Sequence, residues 1–97
     1  EIVFIKFPDV DAMGDEDYIH ALATKEVEKI MSLITDKEHD VVHIMGELNL
    51  NYEMVTMLKE LGVTCVASTS ARIVDESNDN GEFNKIAKFE FRMFRKY

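Results

Sequence analysis

The sequence predicts an α/β fold: a small mixed sheet with a parallel βαβ centre and a C-terminal antiparallel hairpin, helices packed on the sheet. Three observations predict it. Two short apolar runs, Val41–Met45 and Val63–Ala67, are almost unbroken, as strands covered on both faces require. Between them lies a helix-length segment, Tyr52–Leu61, with Met54, Val55, Leu58 and Leu61 on one stripe and Gly62 at its end. Finally, Phe83–Met93 places Phe83, Ala87, Phe89, Phe91 and Met93 at alternate positions after the turn-forming Ser77-Asn78-Asp79-Asn80-Gly81.

Taken in chain order, Ile2–Phe7 alternates and is β-rich, which predicts a strand ended by Pro8-Asp9. Asp9–Asp17 carries five acidic residues and Gly14 and reads as a loop. A helix is expected from near Asp15–Asp17 through at least Ile34, its second half marked by Val27, Ile30, Met31 and Ile34 at i, i+3, i+4, i+7. Thr24 with Val27 three residues on is not a capping box, which leaves a break near Thr24 open. Thr35–Asp40 is a polar turn. Asn49 or Asn51 is positioned to cap the next helix. Strand, helix, glycine and strand over some 25 residues make a βαβ unit, so 41–45 and 63–67 should run parallel. Arg72–Val74 continues as strand into the hairpin.

Ninety-seven residues make one domain, 1–97, with no room for a second core. A chain this short buries a modest share of its surface alone, which favours self-association. The lone Cys65 excludes an internal disulfide and sits in an apolar run as a small hydrophobe. No apolar stretch approaches a membrane span. The opening Glu-Ile-Val-Phe-Ile-Lys-Phe has too few apolar residues for a signal peptide, and residue 1 is not an initiator Met. A cytoplasmic protein with no membrane partner is the expectation.

The net charge of −8 argues against coating duplex nucleic acid, which depends on neutralising many phosphates. The charge is uneven: residues 1–63 hold 5 basic and 14 acidic side chains, residues 64–97 hold 6 and 5. An anionic ligand should therefore lie against the C-terminal third. Two junctions could receive it. At His43-Ile44-Met45-Gly46-Glu47 a buried strand gives way to a helix, whose N-terminus attracts anions, while Gly46 permits close approach. At Ala67-Ser68-Thr69-Ser70-Ala71-Arg72 three hydroxyls and a guanidinium end the neighbouring strand. Each also reads as an ordinary bend, and His43 as a core histidine. The closing Phe91-Arg92-Met93-Phe94-Arg95-Lys96-Tyr97 interleaves bases and aromatics, suiting either nucleobase stacking or a core with solvated charges. His20, His39 and His43 lack metal-site spacing, and no cofactor or metal is expected.

These same motifs, in this order, resemble a family of small CRISPR-associated proteins encoded beside type III systems, some of which are ring nucleases. The resemblance covers 41–97. It rests on the strand ending in Gly46-Glu47, on Tyr52, Gly62, Ser68-Thr69-Ser70-Ala71-Arg72, and the Phe91–Tyr97 segment. Residues 1–40 match only as strand then helix, and Met45-Gly46-Glu47 stands where relatives often carry Gln-Gly-Asp. The resemblance implies a homodimer that binds and linearises cyclic oligoadenylate by metal-independent phosphodiester cleavage. On that footing the ribose 2′-hydroxyl attacks the adjacent phosphate. Arg72, with Ser68, Thr69 or Ser70, stabilises the charge, and Glu47 or His43 moves protons. Glu47 could instead bind ribose hydroxyls. Gly46, Tyr52, Thr69, Ser70, Arg92, Arg95 and Tyr97 would contact the ligand. The alternatives are a non-catalytic cyclic-oligonucleotide sensor and a regulatory dimerisation module.

Overall fold

The computed structural model describes residues 2–79 and 82–97, and of 74–79 and 82–87 the backbone alone. Helix α1, Glu16–Leu33, starts where Asp15 accepts a hydrogen bond from the Tyr18 backbone N–H at 2.9 Å. Glu16 and Asp17 add negative charge to its first turn, where the helix dipole favours it. The helix passes Thr24 unbroken, and the Thr24 hydroxyl donates to the His20 carbonyl within it.

Strand β1, Val41–His43, is followed by α2, Leu48–Glu60, then by β2, Thr64–Asp79, and β3, Glu82–Lys96. Sheet order is β1-β2-β3. As the βαβ spacing predicts, β1 and β2 are parallel, with Val41 opposite Thr64 and His43 opposite Val66. β2 and β3 are antiparallel. Gly62 has a φ of +82°, the left-handed conformation a helix-ending glycine supplies without strain.

Five expectations shift. Ile2–Phe7 is not a strand: it runs as irregular, mostly exposed chain, with only Phe7 and Val10 reaching the core. β1 is three residues long, so its outer edge offers little backbone to bond. Helix α2 begins at Leu48, four residues before the expected Tyr52, because Glu47, rather than Asn49 or Asn51, caps it. The strands expected at 63–67 and 72–74 are one continuous β2, which extends to Asp79 through part of the expected turn; Asn80 and Gly81 lie outside the described residues. Finally, the alternation along β3 changes phase at a bulge: Thr69 faces Met93 but Ser70 faces Phe91, leaving Arg92 as the extra residue. Phe94 thereby joins the face of Phe91 and Phe89, and Met93 falls on the other. The Phe83 and Ala87 side chains lie outside the described residues.

Helix α2 packs on one face of the sheet, and α1 packs against α2. Leu50, Met54, Val55 and Leu58 of α2 meet Ile19, Ala23, Val27 and Ile30 of α1 and, beneath them, Ile44, Val63 and Cys65. Leu50 and Leu58 are fully buried. Val42, opposite Cys65, adds to this layer. Among the described residues, Val41, His43, Phe94, Phe91 and Phe89 are exposed on the other face, where Val66 beside His43 is buried. Beyond Ser70 the hairpin extends as an arm. The radius of gyration is 18.1 Å, against about 12–13 Å for a compact chain of this length. Among the described residues no helix is long and apolar enough to cross a membrane.

Candidate functional site

The parallel pairing of β1 and β2 brings the two sequence junctions together at one pair of residues. His43 Nε2 and Ser68 Oγ lie 3.1 Å apart, across 25 residues of chain. Ser68 Oγ and its backbone N–H also point at Met45 Sδ, at 3.2 and 3.3 Å. A hydroxyl has one proton to give. The arrangement that uses every group has His43 Nε2–H donating to Ser68 Oγ, and Ser68 O–H donating to the Met45 sulfur. His43 then keeps Nδ1 as its unprotonated nitrogen. The imidazole is exposed rather than a core histidine, and meets the Phe94 ring edge-on at 5.2 Å. Phe94 in turn packs against Phe91 at 5.0 Å. The result is a histidine–serine pair at the foot of an open aromatic strip.

Ser70 and Arg72 continue this strip along β2, because residues two apart share a sheet face. Arg72 pairs with Phe89 and is exposed. It stands four residues from Ser68, about 13 Å along the strand. Within one chain, therefore, the guanidinium does not reach the His43–Ser68 pair.

Glu47 does not reach it either. Its carboxylate accepts from the Asn49 N–H at 2.6 Å and, more weakly, from the Leu50 N–H at 3.5 Å. The α2 N-terminus expected to receive an anion is already occupied by this side chain, which satisfies the end of the helix and neutralises its partial charge. Gly46 serves the fold in the same way. A Cβ there would collide with the Phe7 ring, so the close approach it permits is that of Phe7.

The remaining expected contacts scatter. Thr69 lies on the helix-side face, where its hydroxyl accepts from the Met93 N–H and donates to the Met93 carbonyl across the bulge. Arg92, the bulged residue, pairs with Glu90 at 3.6 Å. Arg95, opposite Ala67, is on the face away from Phe94. Tyr52 is 71% exposed and borders a 610 Å³ hollow with Asp15, Glu16, Asp17 and Glu53, a setting that repels phosphate. Tyr97 acts as a strut. Its hydroxyl donates to the Ile44 carbonyl at 2.6 Å and accepts from Asn51 Nδ2 at 3.2 Å. Its backbone N–H bonds the Cys65 carbonyl. It thereby ties the end of β3 to the chain just after His43 and to α2.

Cys65 is buried, and loss of hydration pushes its thiol above the usual range despite nearby Lys59. Among the described residues no three His, Cys, Asp or Glu side chains gather as metal ligands.

A family model described as the Uncharacterized protein MJ1673 family matches residues 1–95. The chain belongs to this family. No curated protein and no solved structure matches it. Membership spans both helices and almost the whole sheet, so the His43–Ser68 junction and the aromatic strip lie inside the matched region.

Sequence inspection missed Met45, Asn51 and Phe94 as members of these networks. Met45 and Asn51 have no sequence signal beyond their neighbours. Phe94 was masked by the bulge, since strict alternation assigns it to the opposite face from Phe91.

Proposed function

We propose that this protein binds cyclic oligoadenylate on its open sheet face and opens the ring with His43 as the proton carrier. The observation that carries this reading is the His43–Ser68 pair, exposed at the carboxyl end of β1, where its parallel pairing with β2 stops, and flanked by Phe94 and Phe91. Ligands of open α/β sheets gather at such strand ends. Exposed aromatics on a sheet face stack unpaired bases, which is how single-stranded RNA is commonly held. The resemblance of residues 41–97 to ring-nuclease-like CRISPR-associated proteins points to the same ligand.

The chemistry follows from the imidazole. His43 removes the proton of a ribose 2′-hydroxyl, and the oxygen forms a bond to the adjacent phosphorus. The bond from phosphorus to the 5′-oxygen breaks, that oxygen takes a proton from water, and His43 releases the 2′-hydroxyl proton to solvent. The products are a linear chain with a 2′,3′-cyclic phosphate at one end and a free 5′-hydroxyl at the other. Proton transfer by a positioned side chain contributes about 10²–10⁴-fold. Ser68 fixes the imidazole ring by accepting a hydrogen bond from Nε2–H.

A second reading, a sensor that binds the ring without cutting it, is favoured by the engagement of Glu47 in the α2 cap. Incubating the protein with cyclic tetra- and hexa-adenylate in EDTA separates the two. Linear product ending in a cyclic phosphate, lost in His43→Ala, supports cleavage. Ring recovered intact but co-eluting with protein supports the sensor. Absence of both binding and cleavage overturns both readings.

A further inference from the structure

Met45 meets Ser68 on the side away from His43, and the reason lies in how the β1–β2 ladder ends. The Ile44 N–H donates to the Val66 carbonyl at 3.1 Å. In a continuing parallel ladder the next rung would run from the Ser68 N–H to the Ile44 carbonyl. That carbonyl accepts from the Tyr97 hydroxyl at 2.6 Å, and the Ser68 N–H goes to Met45 Sδ at 3.3 Å. The Ser68 hydroxyl lies 3.2 Å from the same sulfur. One thioether thus faces both donors of one residue, at the point where the strand stops supplying a backbone acceptor. A thioether has lone pairs and no proton, so it can only accept. With the Ser68 proton turned toward His43, oxygen lone pairs would confront the sulfur lone pairs at 3.2 Å. With the proton on the sulfur, those lone pairs are left for the ring N–H.

We propose that Met45 is a positioning residue for His43. By accepting from Ser68 it fixes the direction of the hydrogen-bond chain, and with it the imidazole nitrogen that stays free to take a proton. The chain runs from His43 Nε2–H to Ser68 Oγ, and from Ser68 O–H to Met45 Sδ. Nδ1 is then the basic atom. The tautomer of a histidine is set by the hydrogen bond its other nitrogen makes. Here that bond is itself set one residue further out, by a sulfur that touches no reacting atom. Replacing the sulfur with carbon removes the acceptor for the hydroxyl proton. The Ser68 O–H then turns to donate to Nε2, and the ring proton moves to Nδ1, the nitrogen the chemistry needs empty. Met45 is 52% exposed and unbranched, so it reaches the junction without being built into the core. The use of Nδ1 as a base rests on the function proposed above; the tautomer does not.

Nitrogen NMR of the histidine side chains tests it, at about pH 8, where an ordinary imidazole is neutral. His43→Ala assigns the His43 signals. The wild-type ring should carry its proton on Nε2. Met45→Leu keeps the volume and removes the acceptor. Its ring should shift toward the Nδ1–H form, and its kcat for ring opening should fall about five- to tenfold at unchanged KM, as expected for one hydrogen bond. Met45→Gln returns an acceptor oxygen and should restore both the tautomer and kcat. Met45→Ile, also apolar and without an acceptor, serves if leucine there does not fold. A wild-type ring protonated on Nδ1, or a Met45→Leu ring with the wild-type tautomer, overturns the proposal. A glutamine variant that behaves like the leucine one assigns the loss to packing and overturns it too. A shifted tautomer with full kcat overturns the positioning role. A wild type that cleaves no cyclic adenylate overturns the function reading alone, because the tautomer is read without ligand.

Discussion

His43 and Ser68 meet at 3.1 Å across the β1–β2 junction, joined by parallel pairing rather than by proximity in sequence. Their geometry makes the imidazole both held and accessible. His43→Ala should reduce ring opening at least a hundredfold, with little change in thermal stability because the side chain is exposed. Ser68→Ala should reduce it less, as it removes a hydrogen bond to the ring without removing the base. Product release followed by chromatography, alongside a thermal melt of each variant, checks both.

The Glu47 carboxylate caps α2, and this gives an opposite expectation. Glu47→Ala should cost about 1 kcal/mol of stability, the usual value of a lost N-cap. Ring binding and cleavage should be nearly unaffected once the lower melting temperature is allowed for. If cleavage instead falls a hundredfold at unchanged stability, the carboxylate takes part in the chemistry and the cap is incidental.

Much of the fold is legible in the sequence, and the reasons differ by element. The βαβ centre was readable because Val41–Met45 and Val63–Ala67 are short apolar runs on either side of an amphipathic helix ending in Gly62, and these signals agree. The N-terminal segment was misjudged because Ile2–Phe7 has the composition of a strand, while strand formation depends on a neighbouring backbone that composition does not report. The site was half legible. Its two junctions were visible, but their residues sort by face and register. One extra residue in β3 decides that Phe94 joins the site and Met93 leaves it. Neither Glu47 nor Gly46 announces in sequence that its special chemistry is spent on the helix cap and on Phe7.

Core packing between the helices is the main source of stability. Leu58 is fully buried among residues of α1, α2 and the sheet. Leu58→Ala should destabilise the protein by about 2–5 kcal/mol, read from denaturant unfolding. Leu48→Ala, at an exposed position of the same helix, should change stability by less than about 0.5 kcal/mol. Equal effects would mean that α2 does not pack as described.

Tyr97 should behave as a strut rather than a ligand contact. Tyr97→Phe removes the bond to the Ile44 carbonyl and the one from Asn51, leaving both groups short of a partner. A loss of about 1–3 kcal/mol is expected. Ring affinity should fall only as far as the chain just after His43 loosens. A Tyr97→Phe protein of wild-type stability and much weaker ring binding would assign the hydroxyl to the ligand instead.

Asp40 links the end of α1 to β1 and sets an acid limit on that turn. The backbone N–H groups of Asp36 and Thr35, at 3.0 and 2.9 Å, donate to its carboxylate and hold its pKa below the ordinary value. The charged form is the one the fold prefers, so the contribution is complete above the unfolded carboxyl pKa, about 3.9. It is lost as pH falls through the lower folded value. Asp40→Asn keeps one acceptor oxygen but cannot titrate. Melting temperatures measured from pH 7 down to 2.5 should therefore show the wild type ahead at neutral pH and its advantage shrinking below about pH 4. A constant gap across that range would mean that the carboxylate charge plays no part in holding the turn.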